Sequence, residues 1–186
     1  DFVLFDEARG AITTFKVLST PDNPARAVLE GLARVGDDAK SAIVHGSTVA
    51  TNALLERKGA RTAFVTTRGF RDLLTIARQT RTDIYDFFCD RPEPLVPPTL
   101  CFEVTERVSH EGVVLSAPNP AEIDGLAGAL RDAEAESVAL CFLFSFLRPE
   151  HEARLAERLR DAGFLVSASS EILPEFREYE RASTTA

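Results

Sequence analysis

The chain contains no methionine and no tryptophan, and only three cysteines and two tyrosines in 186 residues. An odd set of cysteines (Cys89, Cys101 and Cys141), without CxxC or Cys/His spacing, excludes a disulfide framework and a zinc finger. Scattered largely through apolar stretches, they read as reduced core thiols in a cytoplasmic protein rather than nucleophiles. Basic residues are also in deficit. The net charge of −8, with no cluster of Lys and Arg, excludes a nucleic-acid surface. The longest apolar run, Val138 to Phe146, is too short to span a membrane. No signal peptide opens the chain, and a first residue that is Asp, inside an apparent strand, reads as a cut from a longer polypeptide.

What is present is a well-patterned α/β chain: 45% hydrophobic and 27% charged residues allow a packed core. The most informative stretch runs from Ile43 to Gln79. Ala42-Ile43-Val44 predicts a short buried strand that runs into His45-Gly46-Ser47-Thr48. The hydroxyls of Ser47 and Thr48 stand where a helix N-cap belongs, Val49, Ala53 and Leu54 follow at helical spacing, and Gly59 is expected to close the helix. Arg61–Thr67 predicts the next strand, followed by a turn at Gly69 and a helix. A histidine, a glycine and two hydroxyls thus gather at the carboxyl end of a strand and the start of a helix, where open α/β sheets bind ligands and free N–H groups favour anions.

Before that stretch, Phe2–Phe5 and Ala11–Leu18 predict a hairpin, and Pro24 opens a helix bearing Ala27, Val28, Leu32 and Val35 on one face, ending near Gly36. After it, Thr80–Thr99, with Pro92, Pro94, Pro97 and Pro98, reads as a passage between two lobes. Phe102–Val108 and Val113–Leu115 predict a second hairpin around Glu111-Gly112. Helices from Pro120 and Pro149 alternate with strands over Val138–Phe146 and Phe164–Ala168. The order β-β-α-β-α-β predicts a mixed sheet covered by helices. The tail, with Glu175, Arg177, Glu178, Glu180 and Arg181 around Phe176 and Tyr179, has the pattern of a solvated helix face. Arg71 with Asp72, and Arg78 and Arg81, read as surface groups.

Three stretches taken together resemble the N-terminal region of the hydantoinase A/5-oxoprolinase family. They are His45-Gly46-Ser47-Thr48-Val49-Ala50-Thr51-Asn52-Ala53 continuing to Thr66-Thr67-Arg68-Gly69-Phe70-Arg71-Asp72; Arg91-Pro92 and Pro94-Leu95-Val96-Pro97 with Glu106-Arg107-Val108; and Ser170-Glu171-Ile172, Pro174-Glu175, Arg177-Glu178-Tyr179-Glu180-Arg181 and Ser183-Thr184-Thr185. Ser47 departs from the threonine usual there but keeps a hydroxyl. Of the glycine-rich phosphate loop that opens family members, only Asp1 at its exit is present.

The resemblance implies an α/β fold: a partial actin-like (RNase H-like) first lobe with a mixed sheet over residues 1–80, a proline-rich connection over 81–100, an accessory α/β region over 101–170 and a return segment over 171–186. It implies ATP-dependent opening of a small cyclic amide (hydantoin, N-methylhydantoin or 5-oxoproline) through phosphorylation of the carbonyl oxygen, with ATP and Mg²⁺ or Mn²⁺ as cofactors. The expected partners are the C-terminal lobe of the same polypeptide and a second subunit of hydantoinase B type, with neither nucleic acid nor membrane. The 186 residues alone are expected to be inactive. Carried onto this sequence, the catalytic positions are His45 and Thr48. Asp1, Gly46, Ser47 and Thr48 are the cofactor-binding positions, Asn52 the substrate-binding one, and Asp1 also the metal ligand. On the residues alone each has a plainer role: His45 as a structural histidine, Ser47 and Thr48 as caps, Asn52 bonded to neighbouring backbone, Asp1 as a charged chain end. An ATP-dependent ketone carboxylase subunit and a non-catalytic assembly module are the alternatives. The site reading requires Asp1, His45, Ser47 and Thr48 to share one cleft.

Overall fold

A computed structural model describes residues 1–35, 42–80, 83–86, 88 and 93–186. The expected end of the first helix at Gly36, together with Arg81, Cys89, Arg91 and Pro92, lies outside the described residues. The chain divides into two compact units, Asp1–Thr48 and Val49–Ala186.

In the first unit, β1 (Phe2–Asp6) and β2 (Ala11–Phe15) form an antiparallel hairpin in the register Phe2↔Phe15 and Asp6↔Ala11. The turn is held by Asp6, whose carboxylate accepts the N–H groups of Ala8 and Arg9, and by Gly10 at φ +62°. Helix α1 (Pro24–Val35) lies against the hairpin through Gly31. The Phe2 ring, stacked on Phe15 at 4.9 Å, occupies the space a Cβ at Gly31 would need. The strand expected over Ala42–Val44 does not form. These residues have no regular structure, and Val44 is 98% exposed. An apolar triplet becomes a strand only where a neighbour takes up its backbone bonds, and among the described residues none does.

The second unit opens with α2 (Val49–Leu55), directly after Thr48. It stops four residues before Gly59. Arg57 at φ 52° takes the left-handed cap position instead, with Arg57 N–H bonded to the Leu54 carbonyl and Lys58 N–H to that of Ala53. The body of the unit is a four-stranded sheet in the order β4-β3-β7-β8, formed by β3 (Thr62–Thr67), β4 (Cys101–Val104), β7 (Ser137–Cys141) and β8 (Leu165–Ala168). Every pairing in it is parallel. The mixed sheet expected from the element order is therefore replaced by a parallel one, and antiparallel pairing is confined to small hairpins. The cause is the division of Phe102–Val108. Its first part joins the sheet as β4, whereas β5 (Arg107–Val108) turns away to pair with β6 (Val114–Ser116). Strand β3 sits between β4 and β7, so Thr62–Thr67 shares one sheet with residues 101–168. The sheet does not divide near residue 80.

Alternation along β3 and β7 divides the core between the two faces. Ala63, Val65, Val138 and Leu140 face α4 (Pro120–Asp132) and α5 (Glu150–Asp161), which contribute Ile123, Leu126, Leu130, Leu155 and Leu159. Phe64, Ala139 and Cys141 face a smaller cluster with Leu74 of α3 (Leu73–Ile76), Val96, Leu100 and Ala182. The apolar run after β7 is not strand to Phe146. Phe144 adopts φ 56°, and the turn that follows bonds Leu147 N–H to the Phe144 carbonyl. Two last helices, α6 (Ser169–Ile172) and α7 (Glu178–Thr185), close the chain. No helix among the described residues is long and apolar enough to cross a membrane.

Candidate functional site

The sequence-predicted residues divide between the two units. Within the first, Asp1, His45 and Gly46 line one groove of about 470 Å³ together with Phe2, Leu4 and Val28. Its walls are mainly the apolar side chains of β1 and α1. Asp1 stands at the entry of β1, its carboxylate 3.6 Å from the ammonium of Lys16. His45, Gly46, Ser47 and Thr48 are all exposed, and the segment that bears them has no regular structure. Ser47 and Thr48 are not among the residues that line the groove. Asn52 belongs to α2 in the second unit, is exposed, and its carbonyl accepts the N–H of Glu56. Three of the expected positions thus meet in one groove, while the two hydroxyls lie outside it.

The second unit holds a buried polar cluster at the carboxyl ends of its strands, where the connection reverses between β3 and β7. Ligands bind at this reversal in open α/β sheets. Here the chain's own groups fill it. The Thr67 hydroxyl accepts the N–H of Leu143 at 3.1 Å and donates to Glu106 Oε2 at 2.9 Å. His151 Nδ1 lies 2.8 Å from Glu106 Oε1. Alongside, Glu152 accepts Phe142 N–H and the Ser169 hydroxyl on Oε1, and Ser170 N–H on Oε2. Arg181, fully buried, donates to Ser169 Oγ and to the carbonyls of Glu175 and Phe142. The tail expected to be a solvated face is therefore anchored by its last arginine, because the carbonyls exposed by the Phe142 turn need buried donors.

Sequence reasoning missed Glu106, His151 and Glu152 as a group. The signal was in α5, whose buried stripe is His151, Glu152, Leu155, Ala156 and Leu159. Two polar residues on the apolar face of a helix announce buried partners. Cys101 and Cys141 are buried, as expected. Burial pushes the Cys141 thiol up to about 11 against the pull of Arg181 and Ser169, and raises Cys101 in the same direction. Arg71 bonds the Pro98 carbonyl and Arg78 pairs with Glu180. The Glu180 carboxyl is held below its ordinary range, first by its own backbone N–H and then by Arg78.

Comparison with known proteins gives this geometry a family. Residues 1–163 match the model for the hydantoinase/oxoprolinase N-terminal region. The chain is 31% identical to the caprolactamase subunit alpha of Pseudomonas jessenii, over all of its own length and 28% of the relative's. The crystal structure of the ATP-dependent caprolactamase from the same organism superposes on 100% of this chain and 29% of that one, with a TM-score of 0.83 at 31% identity. The 5-oxoprolinase of Saccharomyces cerevisiae is 32% identical over 75% of this chain and 13% of that protein. A nucleotide-free acetone carboxylase structure, from a study of ATP-dependent acetone carboxylation, matches 90% of this chain and 27% of that one at 27% identity and a TM-score of 0.76. The 186 residues therefore span under a third of these relatives. By its match over residues 1–163, the chain belongs to the hydantoinase/oxoprolinase family and corresponds to the N-terminal region of its members.

Proposed function

We propose that the chain is the N-terminal part of an ATP-dependent hydrolase that opens a small cyclic amide by way of carbonyl phosphorylation. The observation that carries this reading is the likeness, along the whole chain, to a protein described as an ATP-dependent caprolactamase. The chemistry is coherent, because a ring amide carbonyl is a poor electrophile until its oxygen is converted into a leaving group. In this reading the chain holds part of an actin-like first lobe, and His45, exposed in the groove of β1 and α1, donates to the ring carbonyl. Thr48, which lies outside that groove, and Asn52 are kept as the further positions that the family resemblance assigns to catalysis and to substrate binding.

The residues at hand do not by themselves fit a triphosphate with its divalent ion. The groove is lined by one carboxylate and no Lys or Arg, and no cluster of three metal-ligating side chains occurs among the described residues. In this reading, ATP and Mg²⁺ or Mn²⁺ are held largely by other parts of a longer polypeptide, and a hydantoinase B type subunit completes the enzyme in the cytoplasm.

A second reading has its own support in the likeness to acetone carboxylase, which makes an ATP-dependent ketone carboxylase subunit the competing assignment. The test is phosphate release from ATP by the longer protein with caprolactam, hydantoin, N-methylhydantoin or 5-oxoproline. Stimulation by a cyclic amide that His45→Ala and Thr48→Ala abolish, with folding intact, is the expected result. Stimulation by a ketone with bicarbonate, and by no amide, assigns the carboxylase instead.

A further inference from the structure

Strands β3 and β4 pair directly, yet the connection between them runs from Arg68 to Leu100. Among the described residues its only α-helix is the short α3. Connections of this length inside a compact unit usually carry function, and nothing in the reading above uses this one. Its chemistry is concentrated between Asp83 and Phe88. Asp83 Oδ1 accepts the N–H of Tyr85 at 2.9 Å, and Asp86 Oδ1 accepts that of Phe88 at 2.8 Å. The same Asp-x-aromatic turn thus occurs twice in succession. In each, the carboxylate fixes the backbone of the aromatic residue two positions on.

The side chains so presented are not used by the fold. Tyr85 is 89% exposed, Phe88 92% and Ile84 75%. Single exposed apolar residues are ordinary, whereas large ones gathered on one short segment mark an interaction surface. Aromatic rings on a turn that is already ordered suit an anchor, because little freedom remains to be lost on docking. The flanking charge narrows the partner. Among the described residues neither Asp83 nor Asp86 is paired with a cation, and the chain as a whole carries −8. An acidic border disfavours the anionic surface of a membrane and suits an apolar groove with Lys or Arg on its rim.

We infer that Ile84, Tyr85 and Phe88 anchor the chain on its hydantoinase B type subunit. The side chains enter an apolar groove of that subunit, and Asp83 and Asp86 face basic groups at the rim. The caprolactamase relative that this chain matches end to end is itself described as a subunit. The choice of partner rests on the function proposed above, but docking is separable from turnover.

The test is assembly of the longer protein with that subunit, purified separately and followed by sedimentation and by association kinetics at low and high salt. Tyr85→Ala and Phe88→Ala are each expected to weaken the complex about thirtyfold, as truncation of an aromatic anchor does. Their thermal melts match the wild type, since exposed rings add no burial to the fold. Asp83→Asn and Asp86→Asn keep the acceptor of each turn and remove its charge. Each is expected to slow association about threefold at low salt, with the difference vanishing at high salt. No complex from the wild type, undiminished assembly in both ring variants, or weakening only where the melt also falls overturns the inference. So does ring-dependent self-association, or ring-dependent binding to anionic vesicles, without effect on the subunit. Amide-stimulated phosphate release by an enzyme whose ring variants assemble normally keeps the hydrolase and rejects this surface. Ring-dependent assembly without stimulated release does the reverse.

Discussion

Glu152 and Arg181, both fully buried, are joined through a single hydroxyl: Ser169 Oγ donates to Glu152 Oε1 at 2.8 Å and accepts from Arg181 Nε at 3.1 Å. Because that proton goes to the carboxylate, the contact with Ser145 at 3.1 Å must be donated by Ser145. Three separate parts of the chain, α5, the start of α6 and α7, are thereby fixed to the end of β7. Arg181→Met strands the carbonyls of Phe142 and Glu175 and leaves Glu152 without its counter-charge. The expected loss of stability is about 3–5 kcal/mol. Ser169→Ala removes the hydroxyl but spares both charges' backbone partners, and about 2 kcal/mol is expected. Urea unfolding of the two variants, with unchanged slope, measures both. A double variant with Glu152→Gln and Arg181→Met should lose less than the sum of its parts, since the two groups share one network.

This network also marks the boundary of what the sequence reveals. The strand ending at Thr67 was legible as a short run closed by the turn at Gly69, and the Pro-opened helices at 24 and 120 were legible because burial on one face of a helix leaves a periodic trace. The Val138–Phe146 run was legible as apolar but not as strand plus turn. Hydrophobicity does not record the φ of 56° at Phe144. Arg181 looked solvated because its neighbours Glu178 and Glu180 alternate with it in sign, and only the fold brings it to the Phe142 carbonyl. The candidate site was legible through motif alone. Asp1, His45 and Gly46 share a groove although 44 positions separate the first two, a proximity that no local pattern encodes.

Cys141 gives a pH signature. Burial raises its thiol to about 11 from 9.0, so the folded state holds a proton that the unfolded chain releases earlier. Stability from this group is fully present below pH 9 and is lost as pH rises toward 11. The decline amounts to roughly 3 kcal/mol over that window. Denaturant midpoints between pH 8 and pH 11 should fall for the wild type and fall less for Cys141→Ala. Alkylation read by mass spectrometry should leave Cys141 unmodified in the native chain at pH 8 and modify it in guanidinium.

Gly31 sets the approach of α1 to the hairpin. A Cβ there would sit 1.9 Å from the Phe2 ring, and that ring is held flat against Phe15 with 2° between the planes. Alanine improves helix propensity by about 1 kcal/mol but forces the ring out of its stack. Displacing a packed aromatic costs about 1–3 kcal/mol, so Gly31→Ala is expected to destabilise Asp1–Thr48 on balance. Hydrogen exchange should quicken over residues 2–15 and 24–35 and stay unchanged in the parallel sheet. Gly31→Ala combined with Phe2→Leu should recover protection, because the shorter side chain vacates the space.

Left-handed residues offer the opposite opportunity. Glu134 ends α4 at φ 55°, with its own N–H on the Arg131 carbonyl and that of Ala135 on the Leu130 carbonyl. The same cap at the end of α5 uses Gly163 at φ +96°. Glu134 is exposed and its side chain makes no hydrogen bond among the described residues, so Glu134→Gly removes steric strain without removing a contact. A gain of about 1 kcal/mol is expected from relief of the left-handed backbone penalty. Ala77, which caps α3 at φ 50° and ψ −142°, stands in another region that suits glycine, and Ala77→Gly is expected to gain about 1 kcal/mol there too. Thermal melts of the two single variants and of the double variant measure both gains, which should add because the two sites share no partner.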